Sequence, residues 1–127
     1  MTDADLNLAL RLMRPWLRAV GAPLGPRVRA TRAETRRLDI GDGFCCPLPN
    51  GGHLLLVDSH LRGASALSCL LHEAVHAAVG WEHGHRGRFL EVAHALGMDR
   101  GTPADSNPGP ALTRRLRTLA RLVREKE

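Results

Sequence analysis

A chain of 127 residues makes one domain, or two small ones, and is long enough to bury a core. Hydrophobic residues at 43% and charged residues at 24% exclude collagen-like, coiled-coil and fully disordered chains, and aromatics at 3% leave a core of Leu, Val and Ala with little for base stacking. Eighteen Lys and Arg against thirteen Asp and Glu give +5, with Lys126 the sole lysine; this permits attraction to nucleic acid or an acidic surface without requiring it.

Leu6, Leu10, Met13, Leu17 and Val20 recur at spacings of three and four, which predicts a helix over the first twenty residues. Thr2 or Asp3 is placed to cap it, Gly21 and Pro23 close it, and Pro15 is expected to kink or divide it. Residues 27–31 alternate as a half-buried strand does. A second extended piece is expected within 38–46, and 53–58 (HLLLVD) is the best strand of the chain. The turn-forming run 47–52 separates the last two. Three short strands after one helix predict a small three-stranded antiparallel sheet.

Ser65 offers an N-cap for a helix reaching about Val79 and ended by Gly80. A further helix is expected over 87–96, with Phe89, Val92, Ala93 and Leu96 as its apolar stripe and Gly97 after it. Residues 101–110 have the composition of a linker. A last amphipathic helix over 111–127 sets Leu112, Leu116, Leu119 and Val123 on one side, with Arg114, Arg117, Arg121 and Arg124 on the other.

Cys45, Cys46 and Cys69 are odd in number, two of them adjacent, and form no C-x-x-C pair, which argues against a disulfide framework or a zinc ribbon. The first residues lack a basic stretch followed by an apolar one, and no apolar run is long enough to cross a membrane. The expected location is the cytoplasm.

The chemistry concentrates in residues 71–89, LHEAVHAAVGWEHGHRGRF, and five of the seven histidines fall between 72 and 94. His72 and His76 stand four apart on a predicted helix, so both imidazoles leave one face and can reach one tetrahedral Zn²⁺. Glu73, next to the first ligand, can take a proton from a water activated by that ion, the arrangement used to hydrolyse a peptide bond. A catalytic site needs a third protein ligand. The pattern HExxHxxGxxH does not fit, because Gly80 comes one place late and Glu82 stands where its third His would be. The candidates are therefore His83, His85, Glu91, His94 and Cys69. His85 is preferred: Gly84 lets the chain turn sharply before it, and it opens the next helix, which can pack back across the first. His83 is the competitor in the same turn, otherwise a neighbour of the ligands or a group facing substrate. Cys69 reads better as a small buried residue.

Residues 73–98 together with His72 resemble the core of the SprT-like (Spartan-type) zinc metallopeptidases, especially their short phage and prophage members. That family's pattern is HExxH, a short spacer, then Gly-His leading into a helix with Phe four residues after the His; here these are His72, Glu73, His76, Gly84, His85 and Phe89. The likeness is strong over 67–98 and extends weakly back to about Leu6. It implies Zn²⁺ ligation by His72, His76 and His85, Glu73 as general base, and a zincin-like α+β core over 1–100 followed by the linker and the basic helix. Two departures stand out. Arg86 and then Gly87 follow His85 where many relatives have Gly at once, and no Cys-rich ribbon or comparable DNA-binding tail is present.

The function expected is that of a zinc metalloendopeptidase acting on a protein or peptide substrate, in line with relatives that cleave proteins on DNA. DNA association would fall to Arg114, Arg117, Arg121 and Arg124, four cations able to contact phosphates, whose plainer role is a solvated helix face. The alternative is a zinc-stabilised DNA- or protein-binding module without catalysis, for which a closed set of four ligands would speak.

Overall fold

Thr2 opens the first helix, α1 (Asp3–Ala19), through a reciprocal pair: its side chain accepts from the Asp5 N–H at 3.1 Å, and the Asp5 carboxylate accepts from the Thr2 N–H at 2.8 Å. The computed structural model describes residues 1–80, 82, 84–98 and 107–125. Pro15 does not divide α1, contrary to expectation; it lies on the exposed side, while Leu6, Leu10, Met13 and Leu17 on either side of it are buried in one continuous stripe. Packing of that stripe outweighs the backbone hydrogen bond that proline removes.

Three strands follow, β1 (Val28–Ala33), β2 (Gly43–Pro47) and β3 (His53–Asp58), in the order β1-β3-β2. The sheet is mixed, not antiparallel: β2 pairs antiparallel with β3, but β1 runs parallel to it. The cause is the segment 34–42. It crosses the end of β3 and carries the chain from one edge position to the other, leaving the central place to β3. Asp58, at the last position of β3 and 4% exposed, anchors this crossing. Its carboxylate accepts from the Arg36 N–H at 2.8 Å, the Thr35 hydroxyl at 3.0 Å, the His60 N–H at 3.0 Å and the His60 ring. These donors, the Arg36 N–H foremost, hold the Asp58 carboxyl well below the usual carboxylate range. Nothing in the local pattern of 34–42 announces that anchor, because its acceptor lies 22 residues further along the chain.

One face of the sheet, with Val28, Ala30, Cys45, Leu55 and Val57, is buried against the helices. Across it lies α2 (Gly63–Val79), which also packs on α1. The expected Ser65 cap is not used: the cap position falls three residues earlier, at Arg62, with no side-chain cap bond, and the Ser65 N–H donates to the Arg62 carbonyl at 3.1 Å inside the first turn. α3 (Arg88–Ala95) packs on α2 through Phe89, Val92 and Ala93.

The last helix, α4 (Pro110–Glu125), joins the same core through Leu112, Leu116, Leu119 and Val123, all under 5% exposed. It lies on α2 and α1, where the Arg115 guanidinium sits 4.1 Å from the centroid of the Trp16 ring. Of the expected linker, 101–106 lie outside the described residues. Its end is tied down, with Pro108 bridging to Met98 and the Gly109 N–H donating to the Gly97 carbonyl at 2.8 Å. The fold is thus α+β, four helices around a small three-stranded mixed sheet. Among the described residues no helix is long and apolar enough to cross a membrane.

Candidate metal centre

α2 supplies two imidazoles and the acid between them. His72 and His76 share one face of the helix, with ring centroids 5.0 Å apart. The third imidazole comes from the turn between α2 and α3. There the backbone takes positive φ at Gly84 (56°) and Gly87 (55°), on either side of His85, a conformation glycine enters without strain. The two glycines reverse the chain so that His85 returns over α2. Its Nε2 lies 3.0 Å from Nε2 of His72 and 3.1 Å from Nε2 of His76. Phe89, wholly buried, backs all three rings: it stacks on His76 at 4.3 Å and meets His72 and His85 edge-on at 5.0 and 5.1 Å.

The ligand atoms of His72, His76 and His85 all lie within 4.8 Å of one another, close enough to hold a metal ion, and no other His, Cys, Asp or Glu among the described residues completes such a group with them. Three imidazole nitrogens on one tetrahedral ion at 2.0–2.1 Å would stand about 3.3 Å apart, close to the spacing seen. The protonation chemistry agrees. Burial, reinforced by the neighbouring imidazoles, pushes His72 down to about 3; burial and His85 push His76 down to about 4, and burial lowers His85 as well. The rings are therefore held neutral. With Nε2 turned inward, one shared proton can join only one pair of these nitrogens, and a cation relieves the lone-pair repulsion of all three at once.

Glu73 is 7% exposed, and its Oε2 lies 3.9 Å from Nε2 of His72. Burial raises its carboxyl to about 8, so without a cation nearby it stays protonated at neutral pH. A divalent ion held by the histidines would favour the carboxylate form instead. Gly43, the first residue of β2, makes room for it. A Cβ there would stand 2.5 Å from Cys69 Sγ, 2.9 Å from the Leu56 carbonyl oxygen and 3.1 Å from Glu73 Oε2. This close approach of strand to helix was not visible in the sequence, where Gly43 reads only as part of an extended segment.

Three of the remaining four candidates, Glu91, His94 and Cys69, have a described position away from the histidines. His83 lies outside the described residues. Glu91 is exposed and pairs with Arg88 at 3.5 Å, and His94 is exposed on α3. The Cys69 thiol donates to the Asp42 carbonyl at 3.4 Å and does not join the histidines. Burial, with Glu73 adding to it, pushes both Cys69 and Cys45 up to about 12, far from the thiolate that a metal or an electrophile needs.

The histidines and Glu73 lie in a cleft of about 1300 Å³. One wall is β2 with the residues before it, including Ile40, Gly43 and Phe44; another is α4, through Thr113, Leu116 and Arg117. Of the four arginines on the outer face of α4, all exposed, only Arg117 borders this cleft. No family model, no curated protein and no solved structure matches the chain.

Proposed function

We propose that this chain is a zinc-dependent peptidase with a zincin-like site, in which His72, His76 and His85 hold the ion and Glu73 is the general base. The observation that supports this most directly is the convergence of three neutral imidazoles beside a buried carboxyl, 3.9 Å from one of them, in a cleft of about 1300 Å³. Three nitrogen ligands are the number a catalytic zinc takes from the protein, and the described residues add no fourth to them.

When bound, Zn²⁺ supplies Lewis acidity, lowering the pKa of water and polarising the scissile carbonyl. The chain does the rest. Glu73 accepts the proton of the attacking water and passes it to the leaving amine, and its burial beside Gly43 keeps it from bulk solvent and fixed in direction. Phe89 holds the ligand rings in place and excludes water behind them. The resemblance of residues 67–98 to SprT-like peptidases points the same way and extends the reading to proteins bound on DNA, with the exposed Arg114, Arg121 and Arg124 of α4 turned outward as phosphate contacts.

The test is hydrolysis of unfolded protein and peptide substrates by zinc-loaded protein, with and without single-stranded DNA, beside Glu73→Gln. The variant should bind one zinc per chain and lose turnover, because an amide cannot take the proton. Undiminished cleavage by Glu73→Gln removes the role given to Glu73. Full zinc loading with no cleavage by the parent protein favours the non-catalytic zinc-stabilised binding module instead.

A further inference from the structure

We infer that Arg117 determines specificity in this cleft by receiving a carboxylate of the substrate, a reading that rests on the peptidase function proposed above. Thr113, Leu116 and Arg117 fall at i, i+3 and i+4 on α4 and so share one edge of that helix. All three border the cleft that contains His72, Glu73, His76 and His85. Leu116 is fully buried and Arg117 exposed, so of these two it is the cation that reaches the open rim.

Arg117 is the one Lys or Arg among the described residues that border the cleft. The two acids there are committed elsewhere. Asp42 pairs with the Arg36 guanidinium at 2.7 Å, and Glu73 is buried beside the histidines. Arg117 itself has no hydrogen bond or ion pair to any described residue. A permanently charged, planar fork that no described residue holds, at the rim of the cleft, is complementary to a carboxylate, which it can bind in two-pronged fashion. Arg114, Arg121 and Arg124 are exposed as well but do not border the cleft. A peptide offers carboxylates of two kinds, its C-terminus and the side chains of Asp and Glu, and Arg117 can recognise either.

The test uses zinc-loaded Glu73→Gln protein, which binds without turnover, and three N-acetylated hexapeptides of one Ala- and Leu-containing sequence. The first ends in an amide and carries no acid, the second ends in a free carboxylate, and the third is amidated with one internal glutamate. Calorimetry should show one of the acidic peptides bound about tenfold more tightly than the neutral one; which one it is identifies the source of the carboxylate. Adding Arg117→Ala should abolish that preference, Arg117→Glu should invert it, and Arg117→Lys should keep part of it, with zinc content unchanged throughout. Equal binding of the three peptides overturns the assignment, as does a preference that survives Arg117→Ala. It is also overturned if Arg117→Ala changes nothing except affinity for a single-stranded oligonucleotide, in step with Arg114→Ala and Arg121→Ala; Arg117 then belongs to a phosphate-binding face. Because this readout is binding, a carboxylate preference lost with Arg117 stands even where the parent protein cleaves nothing, and the two readings fail separately.

Discussion

Phe89 stacks on His76, ring centroids 4.3 Å apart and planes 27° from parallel, so α3 delivers both the support for the histidines and, just before it, the third of them. The fold and the candidate metal site share this residue, and a change there should be felt in both.

Truncation of Phe89 to Ala should cost about 3–5 kcal/mol of stability, the usual range for a buried aromatic, and weaken metal binding because all three rings lose their backing. Phe89→Leu should keep most of the stability and less of the metal affinity. Chemical denaturation with and without zinc separates the two effects.

Removing the metal should destabilise the parent protein. At free zinc about 1,000 times the dissociation constant, binding to the folded state alone contributes about 4 kcal/mol. His85→Ala should abolish most of this zinc-dependent rise in melting temperature, since it takes one nitrogen from a group of three. Melting of both proteins in chelator and in zinc checks it; an undiminished zinc response in His85→Ala would remove His85 from the ligand set.

In the metal-free protein, pH should act on the site in two opposite directions. Glu73 is raised to about 8 from an ordinary value near 4.5, so the folded state binds the extra proton between these limits and stability falls as pH rises through them. His72 and His76 are lowered from 6.5 to about 3 and 4, so the unfolded state binds the extra protons there and stability is lost as pH falls below about 6.5. Glu73→Gln removes only the first effect, and should therefore gain on the parent protein by on the order of 3 kcal/mol between pH 5 and 8. Denaturation curves in chelator at several pH values measure this, and added zinc should shrink the difference, because the cation favours the carboxylate.

Gly43→Ala should destabilise by about 1–3 kcal/mol, since its methyl group meets Cys69 Sγ at 2.5 Å and the Leu56 carbonyl oxygen at 2.9 Å. Pairing it with Cys69→Ala should recover only part of the loss, because the contact with the strand backbone remains. The same substitution should lower turnover more than zinc affinity, as the methyl also reaches Glu73 and not the histidines. Zinc titration and initial rates on the single and double variants separate these.

The amino-acid order was enough to place α1, β3, α2, α3 and α4, because each carries an apolar periodicity matched to its own geometry. It also placed His72, Glu73 and His76 on one stretch of helix, since a spacing of four is a local property of that backbone. Everything that depends on distant partners was decided by packing. The strand direction of β1 follows from a crossing anchored on Asp58, the unbroken course of α1 through Pro15 from a stripe buried on both sides of it, and the arrival of His85 at the other two histidines from the packing of α3 against α2. The separation of Arg117 from its three neighbours on α4 has the same origin: helical periodicity tells which residues share a face, but only the docked helix shows which edge of that face borders the cleft. Local pattern is fixed by steric and hydrogen-bond rules within a few residues, whereas a site is made where segments far apart in the chain bury their surfaces together.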